Sequence, residues 1–525
     1  MPSILLATLN ARHAHTSFGL RYLLANLGEL QSSAKLLEFD INQRPLDIAE
    51  SILSHNPAII ALGVYVWNAA PSLQLAALLK RLRPDVVLIL GGPEVSHEID
   101  QQEIAQWADY VIQGEADLAL ANLCRQILSG RRPPMKIIAA PLPDVAALAL
   151  PYDLYTDEDL AHRVIYVEAS RGCPFRCEFC LSSLDIPLRN FPLEPFLAAL
   201  GKLLRRGATQ FKFVDRTFNL SPAISSAILD FFLDQLPKHP GLFLHFEMIP
   251  DRLPDTLRRR IARFPPGCLQ FEVGIQTFNP SVAALISRKQ DNAKAEANLR
   301  FLREQTAVHI HADLIAGLPG EDLNSFADGF DRLVSLDVHE IQLGLLKRLR
   351  GAPIARHDTE WRMLYSPHPP YDILQTRRID FATMQQIRRL ARFWDLIGNS
   401  GNFTRTRTLI WGNESPFWSL WELTQWLHRK TAGRTHGIAL LKLTELLFEY
   451  LTNRPDADIE PIGQSLAADY TQSARRDMPE FLRPFAPSLL GQRTTSPTLP
   501  KRQARRLRVD NGGRSAASGS KLIRE

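Results

Sequence analysis

Residues 171–180 read RGCPFRCEFC, and three of the five cysteines in a 525-residue chain lie inside them. Cys173, Cys177 and Cys180 stand at C-x3-C-x2-C. Thiolates spaced three and four residues apart on a compact loop can converge on one metal centre. Structural zinc takes four protein ligands, usually as two separated pairs, and no second C-x2-C pair follows. Three thiolates without a fourth suit a cubane iron–sulfur cluster with one iron left open for substrate. A zinc knuckle is the alternative. Cys124 (in LANLCRQIL) and Cys268 (in PGCLQFE) sit in apolar surroundings and read as small buried hydrophobes. Five cysteines cannot build a disulfide framework for a chain this long, and in a protein expected to be cytoplasmic their clustering points to metal or catalysis.

A cluster loop needs a scaffold, and the pattern around it supplies one. From 163 to 350, strand-like runs alternate with helical ones: RVIYVEAS, QFKFVD, LFLHFEMI, LQFEVGIQ, VHIHADLIAG and HEIQLGLLK. Six βα units predict a partial TIM-like (β/α)6 barrel with its chemistry at the strand C-termini. The cysteines follow the first of these strands directly. Before it, residues 1–140 show a second βα rhythm, ending strands at LNARHAH, GVYVWN and GGPEVS, which predicts a doubly wound, Rossmann-like parallel sheet with its ligand at the strand C-termini. The proline-rich PPMKIIAAPLPDVAALALPYDLY reads as a linker, bounded at 141–162. The barrel is bounded at 163–374. Residues 375–490 form a mostly helical domain, whose Trp411, Phe417, Trp418, Trp421 and Trp426 are expected to pack a core.

Net charge is +5, but residues 491–525 carry nine Lys/Arg against two Asp/Glu, a net of +7, so the remaining 490 residues sum to −2. This basic tail, rich in Arg, Ser, Gly and Pro, is expected to be disordered, and nucleic acid could be reached only through it. No run of about 18 uncharged apolar residues appears, so no membrane span is expected.

The cysteine spacing, with Phe179 just before the last cysteine, resembles the radical S-adenosylmethionine (SAM) superfamily. The resemblance implies a [4Fe-4S] cluster on Cys173, Cys177 and Cys180. The open iron would chelate SAM, and one electron would cleave SAM to a 5′-deoxyadenosyl radical. It also implies site residues at the strand ends. Asp215 stands where relatives carry a Gly-Gly-Glu-like motif for the SAM amino group. Glu272 and Gln276, on the side of the strand shared with Gly274, resemble ribose-contacting positions, and Arg288 a contact to the SAM carboxylate. Gly317 and Gly320 would let the backbone approach the adenine.

A doubly wound domain before such a barrel resembles the cobalamin-binding class of the superfamily. Gly91 and Gly92 would leave room for the ligand's tail. The cobalamin motif D-x-H-x-x-G is absent: Gly19 lies one residue too far from His15, and no Asp stands two residues before it. His13 and His15 are otherwise expected to be solvent-exposed loop histidines or phosphate contacts. The helical region resembles an uncharacterised domain appended to this subfamily. The resemblance implies a radical SAM enzyme, cobalamin-dependent and a candidate methyltransferase on an unactivated carbon, served by an electron donor such as flavodoxin or ferredoxin. The substrate, small or macromolecular, is not readable. Two other readings are a tRNA methylthiotransferase-like enzyme, which would need three further N-terminal cysteines where this chain has Cys124 alone, and an RNA-binding or assembly protein with a structural cluster.

Overall fold

The structure is a computed structural model that describes residues 2–184, 187–455, 457–472, 478–486, 502–503 and 505–506. Its N-terminal sheet contains β1 (Ile4–Asn10), β2 (Ala34–Asp40), β3 (Ile59–Gly63), β4 (Val87–Gly91), β5 (Tyr110–Gln113) and β6 (Ile137–Ala139). All are parallel, in the order β2-β1-β3-β4-β5-β6. Successive residues of a strand face opposite sides, and here both sides are apolar. Leu5, Ala7, Ile60, Leu62, Leu88 and Leu90 pack one core with the helices Pro45–Leu53 and Ala69–Leu82. Ile4, Leu6, Ile59, Ala61, Val87 and Ile89 pack the other with Phe18–Ala25 and Ala119–Leu128. Continuous apolar runs of this kind are what a sheet covered on both faces requires.

The stretch expected to be a linker is more structured than its prolines suggest. Ile137–Ala139 forms the sixth strand, paired with β5. Thr156 and Asp159 close a capping box on the short helix Asp157–His162. Arg21, in the first helix of the sheet domain, donates to Asp159 (2.8 Å) and Glu38 (2.9 Å), and Arg163 donates to both carboxylates as well. Two guanidiniums and two carboxylates, all nearly excluded from water, fasten the segment to the sheet domain.

The second sheet begins with β7 (Ile165–Val167). A two-stranded ribbon, β8 (Ser170–Arg171) with β9 (Arg189–Asn190), brackets the cysteine loop. Then come β10 (Gln210–Phe213), β11 (Phe243–Met248), β12 (Leu269–Gln276), β13 (His309–Ala316) and β14 (Glu340–Leu345). The order is β14-β13-β12-β11-β10-β7, all parallel, with β7 and β14 left as edges. This is the expected open six-strand barrel. Its alternation is the reverse of a filled one. Phe211, Phe213, Leu244, Phe246, Phe271, Val273, Ile310 and Ala312 belong to the apolar core that includes the surrounding helices, while Lys212, His245, Glu247, Glu272, His311 and Asp313 occupy the opposite parity.

Behind the barrel lie the helices Phe381–Trp394, Pro416–Lys430, Leu440–Thr452 and Ile459–Gln472. Of the aromatic stretch, Phe417 is fully buried, Trp411, Trp421 and Trp426 are partly buried against the core, and Trp418 is 39% exposed. Most of the basic tail lies outside the described residues. The described part is not loose: Arg502 pairs with Glu340 (3.2 Å) and Asp395 (2.7 Å), Gln503 is buried, and Arg506 donates to the Gly398 carbonyl (2.7 Å). No helix among the described residues is long and apolar enough to cross a membrane.

Candidate active site

A cavity of about 170 Å³ opens among the C-terminal ends of the barrel strands. Cys173, Cys177 and Cys180 line it together with Glu247, Glu272, Gly274, Gln276, Arg288 and Asp313. The cysteine loop is held at its root. Arg171 pairs with Glu168 (2.8 Å), Asp117 (2.9 Å) and Glu115 (2.9 Å), the last two from the N-terminal domain, and lies over the Tyr22 ring at 4.5 Å. Further along, the Cys180 amide donates to the Cys177 carbonyl (3.0 Å), and Ser183 donates to the Cys180 carbonyl through its hydroxyl (2.7 Å). All five cysteines are free. The three loop thiols line one cavity, yet among the described residues no three His, Cys, Asp or Glu side chains close on a point where a single ion would sit. Cys124 is wholly buried in the N-terminal core, and burial pushes its thiol up to about 12.

Arg288 reaches the loop. Its Nη1 lies 3.7 Å from Cys177 Sγ, while Nη2 donates to the Gly274 carbonyl and Nε to Gln290 (3.1 Å). Burial raises the Cys177 thiol above its ordinary value, and the guanidinium opposes that rise.

Glu272 and Gln276 both line the cavity, as strand parity predicts, although the register shifts between Gly274 and Gln276. Gln276 takes φ +69, and a Cβ on Gly274 would stand 2.5 Å from the Gln276 amide nitrogen, so glycine makes the room for that side chain. Glu272 accepts from His245 Nε2 (3.0 Å) and lies 3.7 Å from Lys212 Nζ. Burial alone would raise its pKa, but these two neighbours outweigh burial and hold it at about 2.

Four expectations need correction. Asp215 does not reach the cavity: it turns back to accept from the Ala169 amide (3.0 Å) and the Ser170 hydroxyl (2.6 Å), and is buried there. Gly92, at φ +108, is packed against protein, since a Cβ would stand 2.4 Å from the Val64 carbonyl oxygen, whereas a Cβ on Gly91 would meet only the Ile112 carbonyl, at an ordinary 3.8 Å. Gly317 and Gly320 likewise yield to side chains, Ile373 and Met384 at one and Leu285 and Trp361 at the other. His15 is not a free loop histidine: its Nδ1 lies 2.6 Å from the Tyr166 hydroxyl in β7. His13 is exposed.

Two cavity carboxylates escaped the sequence reading. Glu247, on β11, has no hydrogen-bond partner among the described residues, and burial pushes it up to about 7 against the pull of Arg216. Asp313, on β13, has His311 Nε2 at 3.5 Å, and burial, helped by the neighbouring Glu272 and Glu247, raises it well above the usual carboxylate range. The signal was present: FLHFEM and HADLIA alternate apolar and polar residues at period two.

At the carboxyl edge of the N-terminal sheet, Tyr65 stacks on Trp67 after β3, with ring centroids 4.4 Å apart and planes 8° apart. Trp67 stays 47% exposed.

The chain matches three families in succession: the B12 binding domain over residues 4–124, the Radical SAM superfamily over 167–333, and a protein family of unknown function, DUF4080, over 359–496. It is 25% identical to the cobalamin-dependent radical SAM methyltransferase TokK of Streptomyces tokunonensis, across 89% of this chain and 71% of that one. Among solved structures it resembles the cobalamin-dependent SAM radical enzyme OxsB (TM-score 0.59, 13% identity, 92% of this chain and 83% of that one). It also resembles the radical SAM methyltransferase TsrM of Kitasatospora setae (TM-score 0.56, 15% identity, 82% of this chain and 99% of that one). At those identities the structures bear on the fold alone. The domain succession and the sequence relationship carry the conclusion: the chain is an enzyme that joins a B12 binding domain, a Radical SAM domain and a DUF4080 domain, and it is homologous to the cobalamin-dependent radical SAM methyltransferases.

Proposed function

We propose that the chain binds a [4Fe-4S] cluster on Cys173, Cys177 and Cys180, SAM in the cavity beside it, and cobalamin against the N-terminal domain, and that it methylates an unactivated carbon. The observation that carries this reading is the donor set of one cavity: three thiols, two arginines and four carboxylates at the mouth of the barrel. When bound, the cluster would supply the electron that cleaves SAM, and the corrin would carry the methyl group.

The chain's own residues would do the positioning. Arg288 faces the cavity with a fixed guanidinium and suits a carboxylate. Glu247, partnerless and close to neutrality in its titration, suits an ammonium group, the part first expected of Asp215. Glu272 stays ionised through His245 and Lys212 and, with Gln276 and Asp313, suits ribose hydroxyls. The outward apolar faces seal the barrel, so the polar inner face is where a reactive species would be shielded from bulk water.

For the corrin, the exposed Trp67, stacked on the partly buried Tyr65, offers an apolar edge to a planar ring. The chain lacks the D-x-H-x-x-G motif, so a corrin would be held without that motif's histidine. Cytoplasmic work beside a flavodoxin or ferredoxin suits five free thiols. The test is product analysis under strict anaerobiosis. With SAM, reductant and a corrin, the reconstituted protein forms 5′-deoxyadenosine, methionine and S-adenosylhomocysteine. Deoxyadenosine without S-adenosylhomocysteine would remove the methyl-transfer part of the reading.

A further inference from the structure

Glu178, between the second and third cysteines, is not a solvent-facing spacer. It is 5% exposed, and its carboxylate accepts from Ser287 Oγ (2.5 Å), His357 Nε2 (2.9 Å), Arg356 Nε (2.6 Å) and Arg356 Nη2 (2.7 Å). Its main chain is held as well: the Glu178 amide donates to the Ile286 carbonyl (3.1 Å), and the Ile354 amide donates to the Glu178 carbonyl (2.9 Å). The cysteine loop is thereby tied to two other segments. One is the turn that aims Arg288 at Cys177. The other is the short helical turn Pro353–His357, which follows the last barrel strand.

That second segment is anchored at its other end to the N-terminal domain. Arg350 Nε pairs with Glu94 (2.9 Å), which also accepts from the Tyr371 hydroxyl (2.6 Å). Glu98 accepts from Arg348 Nη1 (3.2 Å) and from the Gly351 amide (3.3 Å). Gly351, at φ +81, leaves no room for a side chain, because the His97 ring would lie 2.4 Å from a Cβ there. Glu94, His97 and Glu98 all belong to the loop after β4. One ten-residue segment, 348–357, thus grips the β4 loop with one end and the cluster loop with the other. The C-x3-C-x2-C spacing itself asks nothing of residue 178. A buried carboxylate there is tolerable only because four donors meet it.

We propose that Glu178 is the positioning residue of the cysteine loop, and that residues 348–357 are a strap holding this loop in register with the β4 loop of the N-terminal domain. This rests on the cluster assignment above and adds to it: the seats of the two metal cofactors are set relative to each other by the protein before either cofactor binds.

Hydrogen–deuterium exchange on the metal-free full-length chain tests this without activity. Glu178→Ala is expected to raise exchange about tenfold in 173–180 and 353–357 while the barrel strands keep their protection. Glu178→Gln, which keeps an acceptor for Ser287 and His357, restores part of it. Arg356→Ala, at a side chain 61% exposed, gives a smaller rise in the same two segments and does not depend on Glu178 variants folding. Arg350→Ala, which removes its contacts to Glu94, Glu98 and the Tyr371 hydroxyl but none to Glu178, raises exchange in 353–357 and 177–180 as well as in 94–98. Unchanged exchange at 173–180 in the Glu178 and Arg356 variants overturns the positioning role. A loss of protection throughout the barrel in Glu178→Ala overturns it too, by making the residue general core. An Arg350→Ala effect confined to 94–98 overturns the strap. In reconstituted protein, Glu178→Gln shifts the electron paramagnetic resonance g-values of the reduced cluster at unchanged iron content. Wild-type protein that takes up no iron would sink the cluster assignment while leaving the exchange result to stand or fall by itself.

Discussion

His15 and Tyr166 meet across the boundary of two domains: Nδ1 of the one lies 2.6 Å from the hydroxyl of the other. The contact stitches the loop after β1 to the first barrel strand, beside a parallel bridge between His15 and Val164. The contact occupies Nδ1 alone, and the chain lacks the D-x-H-x-x-G motif that would present a histidine to cobalt. The cob(II)alamin-loaded protein is therefore expected to show an electron paramagnetic resonance spectrum without nitrogen superhyperfine splitting, and His15→Ala should leave that spectrum unchanged. Splitting that disappears in His15→Ala would refute this.

Glu247 predicts a pH dependence. Burial raises its pKa to about 7, so it is mostly protonated at pH 6 and mostly ionised at pH 8. An ammonium group prefers the ionised form. SAM binding to the reconstituted enzyme should tighten as pH rises through 7, and Glu247→Gln should flatten that dependence and weaken binding at pH 8 about 10- to 100-fold, the range for a hydrogen bond to a charged group. Asp215→Asn, by contrast, should lower thermal stability and leave SAM affinity within about twofold. Calorimetric titration at three pH values separates the two.

The Arg21–Glu38–Asp159–Arg163 cluster predicts acid lability. Burial alone would raise Glu38, but hydrogen bonds from Arg21 and Arg163 hold it at about 2, below its model-peptide value of 4.5. A carboxylate depressed in the folded state stabilises fully above its unfolded pKa, and that stabilisation is lost as pH falls from about 4.5 toward 2. Over that window the group accounts for at most about 3 kcal/mol. Urea unfolding of wild type and Glu38→Gln should show a large difference at pH 6 that shrinks as pH approaches 3. A constant difference would contradict the assignment.

What could be read from the residues alone followed the range of the signals. The cysteine triplet and the six barrel strands are local patterns, and both appear where expected. Glu272 and Gln276 were singled out by the family resemblance, and strand parity put them on one face, a placement that survives the bulge between them because Gly274 yields the space. The same parity applied to FLHFEM and HADLIA would have found Glu247 and Asp313. Asp215 was misjudged because it lies just past its strand, where parity no longer fixes direction, and Ala169 and Ser170 claim it. The diglycine after β4 was read as space for a ligand, whereas Gly92 answers to the Val64 backbone, a contact between strands that no local pattern records. Three strand residues among prolines, Ile137–Ala139, are too few to show periodicity. Glu178 carried no signal at all, since its four donors come from residues more than a hundred positions away.

The most direct test is metal analysis of the anaerobically reconstituted protein. The account predicts about four irons and four sulfides per chain, a broad absorption shoulder near the edge of the visible range, and loss of both in Cys177→Ser. A stoichiometric zinc in the wild type, or iron content unchanged in Cys177→Ser, would contradict it.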